Sequence, residues 1–434
     1  MLPQRPLKLL CGALLALPSL WVHGGQAPAM VDLPPTETVQ ALILARPEVR
    51  AASAGLRADQ AAGERLRASP HETTVRLQTQ TRHSAEPGSA APSQRYTEAQ
   101  VALERTLRLP AKARQDDQVA QTTEALADVR KADAIHEASR ALLRAWFDWQ
   151  RDRALLALWH QQLEAQQALL DMAERRVRAG DAARTELLAQ QAVWSQLETE
   201  RQAAQTQEAL SQARLNLHYP GLSAQAPPLS RPQASDLPVR PASEVIEALT
   251  NVSHERQVAE RMADLAQAEA AKLDLGRQID PTVGLYAARE RGGAERVLGV
   301  SLSLPWGGAG REAAAKQGWA QALQAQESAR SVSLAVRAQS EQAWLEAQGS
   351  LLRWQGLEAS SQRLDELLQK MVKGWQLGEY GHGDVLQARR QHLDALKAAV
   401  AARADARHAA CRLWLDLHEI WDFDDATPET VPAP

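Results

Sequence analysis

Two acidic residues, Glu186 and Asp384, occupy the same position in a motif that the chain carries twice. The first copy is RAGDAARTELLAQQ, the second is LGEYGHGDVLQARRQ, and matching residues are 198 positions apart. Gly180 and Gly378 suit the left-handed conformation that ends a helix. Each acidic residue then falls in the first turn of the following helix, where the positive end of the helix dipole favours a carboxylate. The motif therefore predicts a helix, a tight turn and a second helix in two places.

The residue types that usually support catalysis or metal binding are dispersed. The chain has eleven histidines but no H-E-x-x-H motif. Four histidines precede an acidic residue and have no second histidine four positions on: His71, His136, His254 and His418. The glycine-rich segment at 307–310 is not followed by the lysine and the serine or threonine that a phosphate-binding loop requires. We therefore expect surface or packing roles for the histidines, and no catalytic residue, metal site or cofactor. Only His382, in the second turn, is singled out for testing.

The composition favours long helices over a compact globular core. Aromatic residues make up 4% of the chain, with twelve tryptophans against two phenylalanines and four tyrosines. Alanine, leucine, glutamine, glutamate and arginine dominate instead, which is typical of long helices that pack through narrow seams. The formal net charge of −4 offers no basic surface for nucleic acid.

The first 29 residues have the layout of a secretory signal peptide. Arg5 and Lys8 precede an apolar run at 9–22, and small residues follow it. Removing residues 1–29 takes away two basic groups and no acidic one, which changes the formal charge from −4 to −6, and it also removes Cys11. Cys411 is then alone, and we expect it to be a packed small residue. No later run of 18 apolar residues occurs, so the exported protein is predicted to be periplasmic, secreted or an outer-membrane barrel.

Two modules make up the rest of the chain. We place them at 36–219 and 243–418, joined by a proline-rich linker at 220–242 and followed by a disordered acidic tail at 419–434. Each module is predicted to contain a helix, a strand pair, a very long helix, a turn and a further helix. The predicted limits are a first helix at 38–68, strand pairs at about 73–107 and 282–304, and long helices at about 111–177 and 310–376.

The long helices and the strand pairs together predict a tube. Apolar residues, including Trp146, Trp149 and Trp354, recur every three or four positions along each long helix, as in a coiled-coil seam. A continuous helix over 111–177 would be about 100 Å long. Four strands cannot close a barrel, but three chains would supply twelve and leave no open edge in lipid. The predicted fold class is therefore mainly α with a small β part, in which a trimer forms a 12-stranded outer-membrane β-barrel continued by a long α-helical periplasmic barrel.

The sequence resembles the TolC-type outer-membrane efflux and secretion channels over nearly the whole mature chain. The resemblance is carried by ARPEVRAASAGLRAD, by the strand-to-helix joints LRLPAKAR and SLSLPWGGAGR, and above all by the paired turn motifs. Within that family the chain looks more like the metal-efflux channels of the CzcC and CusC type than the protein-secretion channels. The resemblance implies a homotrimer in outer-membrane lipid whose helical tunnel crosses the periplasm. It also implies two partners, a periplasmic adaptor (membrane fusion protein) and an inner-membrane pump of the RND or ABC type.

The resemblance further assigns roles to individual residues. The turns at 179–182 and 377–381 match the periplasmic tips on which the adaptor docks. The docking residues are then Ala179, Gly180, Asp181, Leu377, Gly378, Glu379 and Tyr380. Asp384 matches an acidic residue that constricts the periplasmic mouth, Glu186 is its counterpart in the first module, and Gln387 stands where some members have a second acidic ring. Three copies of Asp384 around one axis would favour cations, and a bound cation should block flow.

Two features depart from the family pattern, and three alternatives remain open. The second module has Val252-Ser253-His254 where the first has Pro47, and the strand pairs have few of the aromatic residues that form girdles in membrane barrels. The alternatives are a periplasmic coiled-coil adaptor or other structural protein, the outer-membrane component of type I protein secretion, and an exported enzyme. An adaptor would show one helical hairpin flanked by β-rich segments. Because the chain has no nucleotide-binding motif, a partner must drive transport, and the sequence does not identify the cargo.

Overall fold

The computed structural model describes residues 30–84 and 94–424 of the chain. The predicted signal peptide and residues 425–434 of the predicted tail lie outside the described residues. The helices and strands of the described residues are, in order, α1 (Thr36–Leu44), α2 (Pro47–Arg67), β1 (Thr73–Ser84), β2 (Gln94–Thr106), α3 (Pro110–Ala179), α4 (Arg184–His218), α5 (Ala242–Val252), α6 (His254–Leu275), β3 (Thr282–Glu290), β4 (Glu295–Ser303), α7 (Ala309–Gln376) and α8 (His382–Asp416).

Both modules have the same order of elements, and each is dominated by one very long helix. Helix α3 has 70 residues and α7 has 68, so each is about 100 Å long. Their limits agree with the sequence-based limits to within two residues. Trp146, Trp149 and Trp354 are buried along the seams, as predicted. Among the described residues, no helix combines the length and the apolar character needed to cross a membrane.

The first helix of each module is interrupted. The helix predicted at 38–68 is in fact two helices, because Pro47 has no backbone N–H and disfavours a helical conformation in the residue before it. Arg46 is accordingly extended, with φ −63° and ψ 138°, and Pro47 begins α2. In the second module Ser253 is extended with φ −58° and ψ 121°, and His254 begins α6. Both modules therefore break at the same place, one at a proline and the other at a histidine.

The four strands form one antiparallel sheet in the order β1-β2-β3-β4. Each module contributes a hairpin, and the hairpins meet through β2 and β3, where Leu103 pairs with Leu285. Within the described residues, β1 and β4 are the two edges of the sheet. An open edge presents unpaired backbone N–H and C=O groups, which lipid does not tolerate. A single chain therefore has an incomplete sheet for a membrane environment.

The largest core lies where α3, α4 and α8 meet the beginning and the end of the described chain. Trp146, Leu215 and Cys411 are fully buried in it, and Cys411 is a free packed thiol, as predicted. The prediction of a disordered tail is wrong at its start, since Trp421 and Phe423 are only 6% and 5% exposed and belong to this core. Burying two aromatic side chains is worth about 2 kcal/mol each, which holds this segment against the end of α8.

The linker at 220–242 is packed onto the same core. It contains no α-helix, only the 3-10 turns Leu222–Gln225 and Ala234–Asp236. Arg407, which is 2% exposed, pairs with Asp32 at 2.6 Å and with Asp236 at 2.6 Å. Burial alone would raise the pKa of Asp32, but the hydrogen bonds and the charge of Arg407 outweigh this and lower it. A compensated buried ion pair thus fixes the linker to α8.

Candidate functional sites at the paired turns and on the sheet

The two turns between the paired helices have the same backbone geometry. Gly180 has φ 83° and Gly378 has φ 82°, the predicted left-handed conformation. In each turn the residue after this glycine donates its N–H to the carbonyl five residues earlier, at 2.9 Å in the first turn and 2.8 Å in the second. The predicted docking residues are exposed in both turns, with Leu377 70% and Tyr380 48% exposed. The repeated motif therefore encodes one exposed turn twice.

Glu186 and Asp384 hold equivalent positions, the third residue of α4 and of α8, but their surroundings differ. Glu186 is half-buried and accepts a hydrogen bond from Arg176 at 3.1 Å, so its charge is already compensated. Asp384 is exposed, and the described residues provide no hydrogen bond or ion pair to its carboxylate. Gln387 is exposed on the same side of α8, one helical turn later. Glu186 stabilises its own turn, whereas Asp384 and Gln387 face solvent.

Trp375 connects the two hairpins next to the turns. The Arg176 guanidinium lies over its ring, 5.0 Å from the ring centroid, and the His382 ring centroid is 5.6 Å away. Both ring nitrogens of His382 are buried, and neither has a hydrogen-bond partner among the described residues. Burial lowers the pKa of His382, and Arg176 lowers it further, while Glu186 acts in the opposite direction. His382 is therefore a packing residue beneath the second turn.

A buried polar network joins the two hairpins farther from the turns, and the sequence analysis missed it. Gln166 on α3 donates to the side-chain oxygen of Gln190 on α4 at 2.6 Å. Arg389 on α8 donates to the side-chain oxygen of Gln166. Burial lowers the pKa of Arg389 to about 10, and no carboxylate of the described residues offsets this effect. The network fixes α8 against the first hairpin, so the two turns are held at a set position relative to each other.

One face of the sheet is apolar and exposed. Two rows of cross-strand partners run through all four strands on this face, Val75–Leu103–Leu285–Val300 and Leu77–Val101–Ala287–Leu298. Leu77 is 75% and Leu298 is 85% exposed. A soluble protein does not normally leave so many neighbouring apolar side chains uncovered. Toward the tips of the strands the same face carries Arg289 paired with Arg296, which ends the apolar rows.

The opposite face of the sheet is polar and internally paired. Arg76 contacts Glu104 at 3.1 Å, and Arg82 contacts Glu98 at 3.2 Å. Gln80 also donates to Glu98 at 2.8 Å, and the side chain of Glu98 is 4% exposed. The paired charges Arg76, Arg82, Glu98 and Glu104 therefore share one face of the first strand pair. Its other face is apolar in the middle and carries Arg95 and Arg105 near the two ends of β2.

An ion network lies where the strands join the long helices. Arg108 contacts Asp116 at 2.8 Å and Asp280 at 3.0 Å, and Lys112 contacts Asp280 at 3.0 Å. Burial raises the pKa of Asp280, but the hydrogen bonds from Lys112 and Arg108 outweigh it, and the net pKa is lowered. Because Asp280 precedes β3 and Arg108 follows β2, the network locks the two modules together at the base of the sheet. Nearby Trp306 is 93% exposed at the foot of β4.

Three of the histidines that are dispersed in the sequence come together in the structure. The possible ligand atoms of His136, His254 and His418 all lie within 4.8 Å of one another. Sequence motifs for metal sites detect ligands that are a few residues apart, so they could not predict this cluster. The comparison of the two modules did contain a signal, since His254 stands where the first module has Pro47.

The chain is similar in structure, but not detectably in sequence, to known proteins. No protein-family model and no curated protein sequence matches the chain. Solved structures of outer-membrane channels do match. OprN is 17% identical, with 89% of this chain and 90% of that chain covered and a TM-score of 0.74. VceC from Vibrio cholerae is 17% identical, with 88% and 94% covered and a TM-score of 0.69. CmeC from Campylobacter jejuni is 11% identical, with 91% and 87% covered and a TM-score of 0.70.

These likenesses extend over nearly all of each compared chain, so they concern the complete duplicated architecture and not one hairpin. The chain has the fold of the TolC-type outer-membrane efflux channels. The predicted resemblance and the mainly helical fold with a small sheet are confirmed at this level.

Proposed function

We propose that the chain is the outer-membrane channel of a tripartite efflux system, a passive exit duct for substrates that an inner-membrane pump and a periplasmic adaptor deliver. The observation that carries the proposal is the sheet, which has one apolar exposed face, one polar face and two open edges. These three properties together suit a segment of a membrane barrel. The channel fold of the compared proteins supports the same conclusion.

In the proposed assembly three chains join β4 of one chain to β1 of the next. Twelve strands then close with no free edge, the apolar rows face lipid and the polar face lines the lumen. The nine-residue strands β3 and β4 are about 30 Å long, and at a tilt of 35–45° they span about 23 Å. That height is close to the apolar band of about 25 Å in outer-membrane barrels. Trp306 would then lie at the membrane interface, where tryptophan is enriched.

The helical hairpins would continue the barrel into the periplasm as a tunnel ending at the paired turns. We propose that the adaptor docks on these exposed turns, at Ala179–Asp181 and Leu377–Tyr380. Asp384 and Gln387 would surround the mouth of the tunnel, since both side chains face solvent beside the second turn. Glu186 is proposed to support the turn through Arg176 and not to form a ring of free charge.

A channel of this kind has no energy source, so a partner pump of the RND or ABC type is proposed to drive transport. The alternative of an adaptor is disfavoured because the chain has two long hairpins and one four-stranded sheet, not one hairpin flanked by β-rich segments. Type I protein secretion would use the same duct with a polypeptide as cargo.

The proposal is tested on the mature chain purified in detergent. Light scattering should give the mass of a trimer, and the protein should insert into planar bilayers and conduct. A soluble monomer or dimer without conductance would refute the channel and favour the adaptor.

Single-channel block by a divalent cation then tests the mouth. Asp384→Ala should weaken the block, because it removes three carboxylates from the proposed ring, and Gln387→Glu should strengthen it by adding three. Glu186→Gln is the matched control and should leave the block unchanged, since the charge of Glu186 is compensated by Arg176. Equal blocks in the wild type and in Asp384→Ala would place this residue off the axis.

A further inference from the structure

Three imidazole side chains from distant parts of the chain converge at one place, between the two modules. His136 lies on α3, His254 is the first residue of α6, and His418 lies two residues beyond the end of α8. The His136 and His418 rings stack with centroids 5.0 Å apart, and the His254 ring lies edge-on to the His418 ring at 4.8 Å. His136 and His254 are buried, with exposed fractions of 9% and 6%, and His418 is half-buried. This is an interior cluster, away from both the turns and the sheet.

Each imidazole is held by a carboxylate on one of its nitrogens. His136 Nε2 is 3.3 Å from Asp416 Oδ1, His254 Nε2 is 3.0 Å from Asp424 Oδ2, and His418 Nδ1 is 3.5 Å from the same Asp424 oxygen. The second nitrogen of His254, Nδ1, is buried and has no hydrogen-bond partner among the described residues. A buried nitrogen without a partner is costly unless it binds something. Histidines oriented by a carboxylate on one nitrogen are typical of metal ligands, whose other nitrogen faces the ion.

The fold by itself does not require histidine at two of these three positions. His254 corresponds to Pro47 at an offset of 207 residues, and both begin the helix after the break in their module. His418 corresponds to Pro220 at an offset of 198 residues. His418 also has a φ of 61°, a left-handed conformation that glycine or asparagine adopts more readily. The second module therefore has a histidine at two positions where the first module has proline. At one of them, His418, the backbone conformation also disfavours histidine.

We propose that His136, His254 and His418 bind one divalent transition-metal ion of the zinc class, with water as the fourth ligand. Imidazole nitrogen is a preferred donor for Zn²⁺, Cu²⁺ and Ni²⁺, whereas Mg²⁺ and Ca²⁺ prefer oxygen. Ligand nitrogens at 2.0–2.1 Å from a tetrahedral Zn²⁺ are about 3.3 Å apart, so the cluster closes by at most about 1.5 Å from its span of 4.8 Å. His418 donates its backbone N–H to the Leu415 carbonyl at 3.0 Å in the turn that ends α8, so this closure would come from side-chain rotation.

The surroundings provide room and charge for this ion. A cavity of about 50 Å³ adjoins the cluster, enough for an ion and a bound water. Arg140 donates to Asp416 at 2.7 Å, so one carboxylate beside the cluster is already compensated. Asp424 is the carboxylate that orients the rings of both His254 and His418. The bound ion would tie α3 of the first module to α6 and to the segment after α8.

The test is Zn²⁺ binding to the full mature chain in detergent, after removal of metal by a chelator. Calorimetric titration and elemental analysis after dialysis should show one Zn²⁺ per chain. His254→Pro is the sharpest variant, because Ser253 is already extended and proline is favoured as the first residue of a helix. This variant and His136→Gln should each bind Zn²⁺ at least 100-fold more weakly. His160→Gln, an exposed histidine on the same helix as His136, is the matched control and should bind as the wild type does.

A further variant and a spectroscopic measurement distinguish a loss of Zn²⁺ binding from a loss of folding. Should His254→Pro lose its helical circular dichroism, His418→Asn replaces it, since asparagine tolerates the left-handed conformation. Asp416→Asn should weaken Zn²⁺ binding by 10–100-fold, as expected for a carboxylate that orients a ligand. Tetrahedral Co²⁺ in place of Zn²⁺ should give strong visible absorption in the wild type and in His160→Gln, but not in His136→Gln. Equal Zn²⁺ uptake by the wild type and the folded cluster variants, or an equal loss in His160→Gln, would overturn the proposal.

Discussion

Replacing Leu77 by arginine tests which face of the sheet meets lipid. Leu77 lies in the middle of β1, is 75% exposed, and belongs to the apolar row that crosses all four strands. Its neighbour Gln78 points to the polar face, because successive residues of a strand alternate between the two faces. Leu77→Arg and Gln78→Arg therefore place the same charge one residue apart, on opposite sides of the same strand.

The expected difference between the two variants is large. An arginine on the lipid face costs about 2–4 kcal/mol at the bilayer midplane and about 0–1 near the interfaces. In the proposed trimer the cost recurs in each chain, so Leu77→Arg should destabilise the inserted state by about 6–12 kcal/mol. Gln78→Arg should cost little, because the polar face already holds Arg76 paired with Glu104.

The assay is insertion of the purified variants into lipid vesicles, with the free energy of unfolding measured by denaturant titration. Leu77→Arg should fail to insert or unfold at much lower denaturant concentration, while Gln78→Arg should behave like the wild type. Equal tolerance of both substitutions, or a larger loss in Gln78→Arg, would show that the apolar face does not meet lipid.

Two further predictions concern the helices. A Cβ at Gly374 would collide with the Tyr380 ring, so Gly374→Ala should displace the second turn and increase its cleavage by a protease. Gly349 lies on the same helix with open space around it, so Gly349→Ala should stabilise α7 by about 0.5–1 kcal/mol. Equal protease sensitivity of the two variants would contradict this prediction. Burial lowers the pKa of His408 to about 4. The folded state therefore binds fewer protons than the unfolded state below pH 6.5. The free energy of unfolding should fall by up to about 3 kcal/mol as the pH is lowered from 6.5 to 4. His408→Leu should flatten this fall in denaturant titrations, and an unchanged slope would contradict the assignment.

Most of the secondary structure was predictable because its signals are local and repeated. The seam along α3 repeats every three or four residues over many turns, so an error at one position does not change the result. The left-handed glycines, Gly180 and Gly378, were predictable for a similar reason, since the same turn chemistry appears in both modules. The break before α2 was missed, although Pro47 itself disfavours a helical conformation in the residue before it.

The candidate sites were only partly predictable. The exposed turns followed from the motif, but equivalent spacing did not reveal that Glu186 is compensated by Arg176 while Asp384 is free. That difference depends on a side chain in the preceding helix. The apolar face of the sheet was also obscured in the sequence, because Arg76, Arg82, Glu98 and Glu104 lie between apolar residues but belong to the other face.

The sequence by itself determined the duplication, the lengths of the helices and strands and the conformation of the turns, since each depends on residues within a few positions of one another. Only the tertiary structure decided which distant residues meet. The pairing of β2 with β3 and the cluster of His136, His254 and His418 join positions more than a hundred residues apart along the chain. Such contacts depend on how the long helices pack, because small changes in helix rotation decide which side chains face each other across an interface.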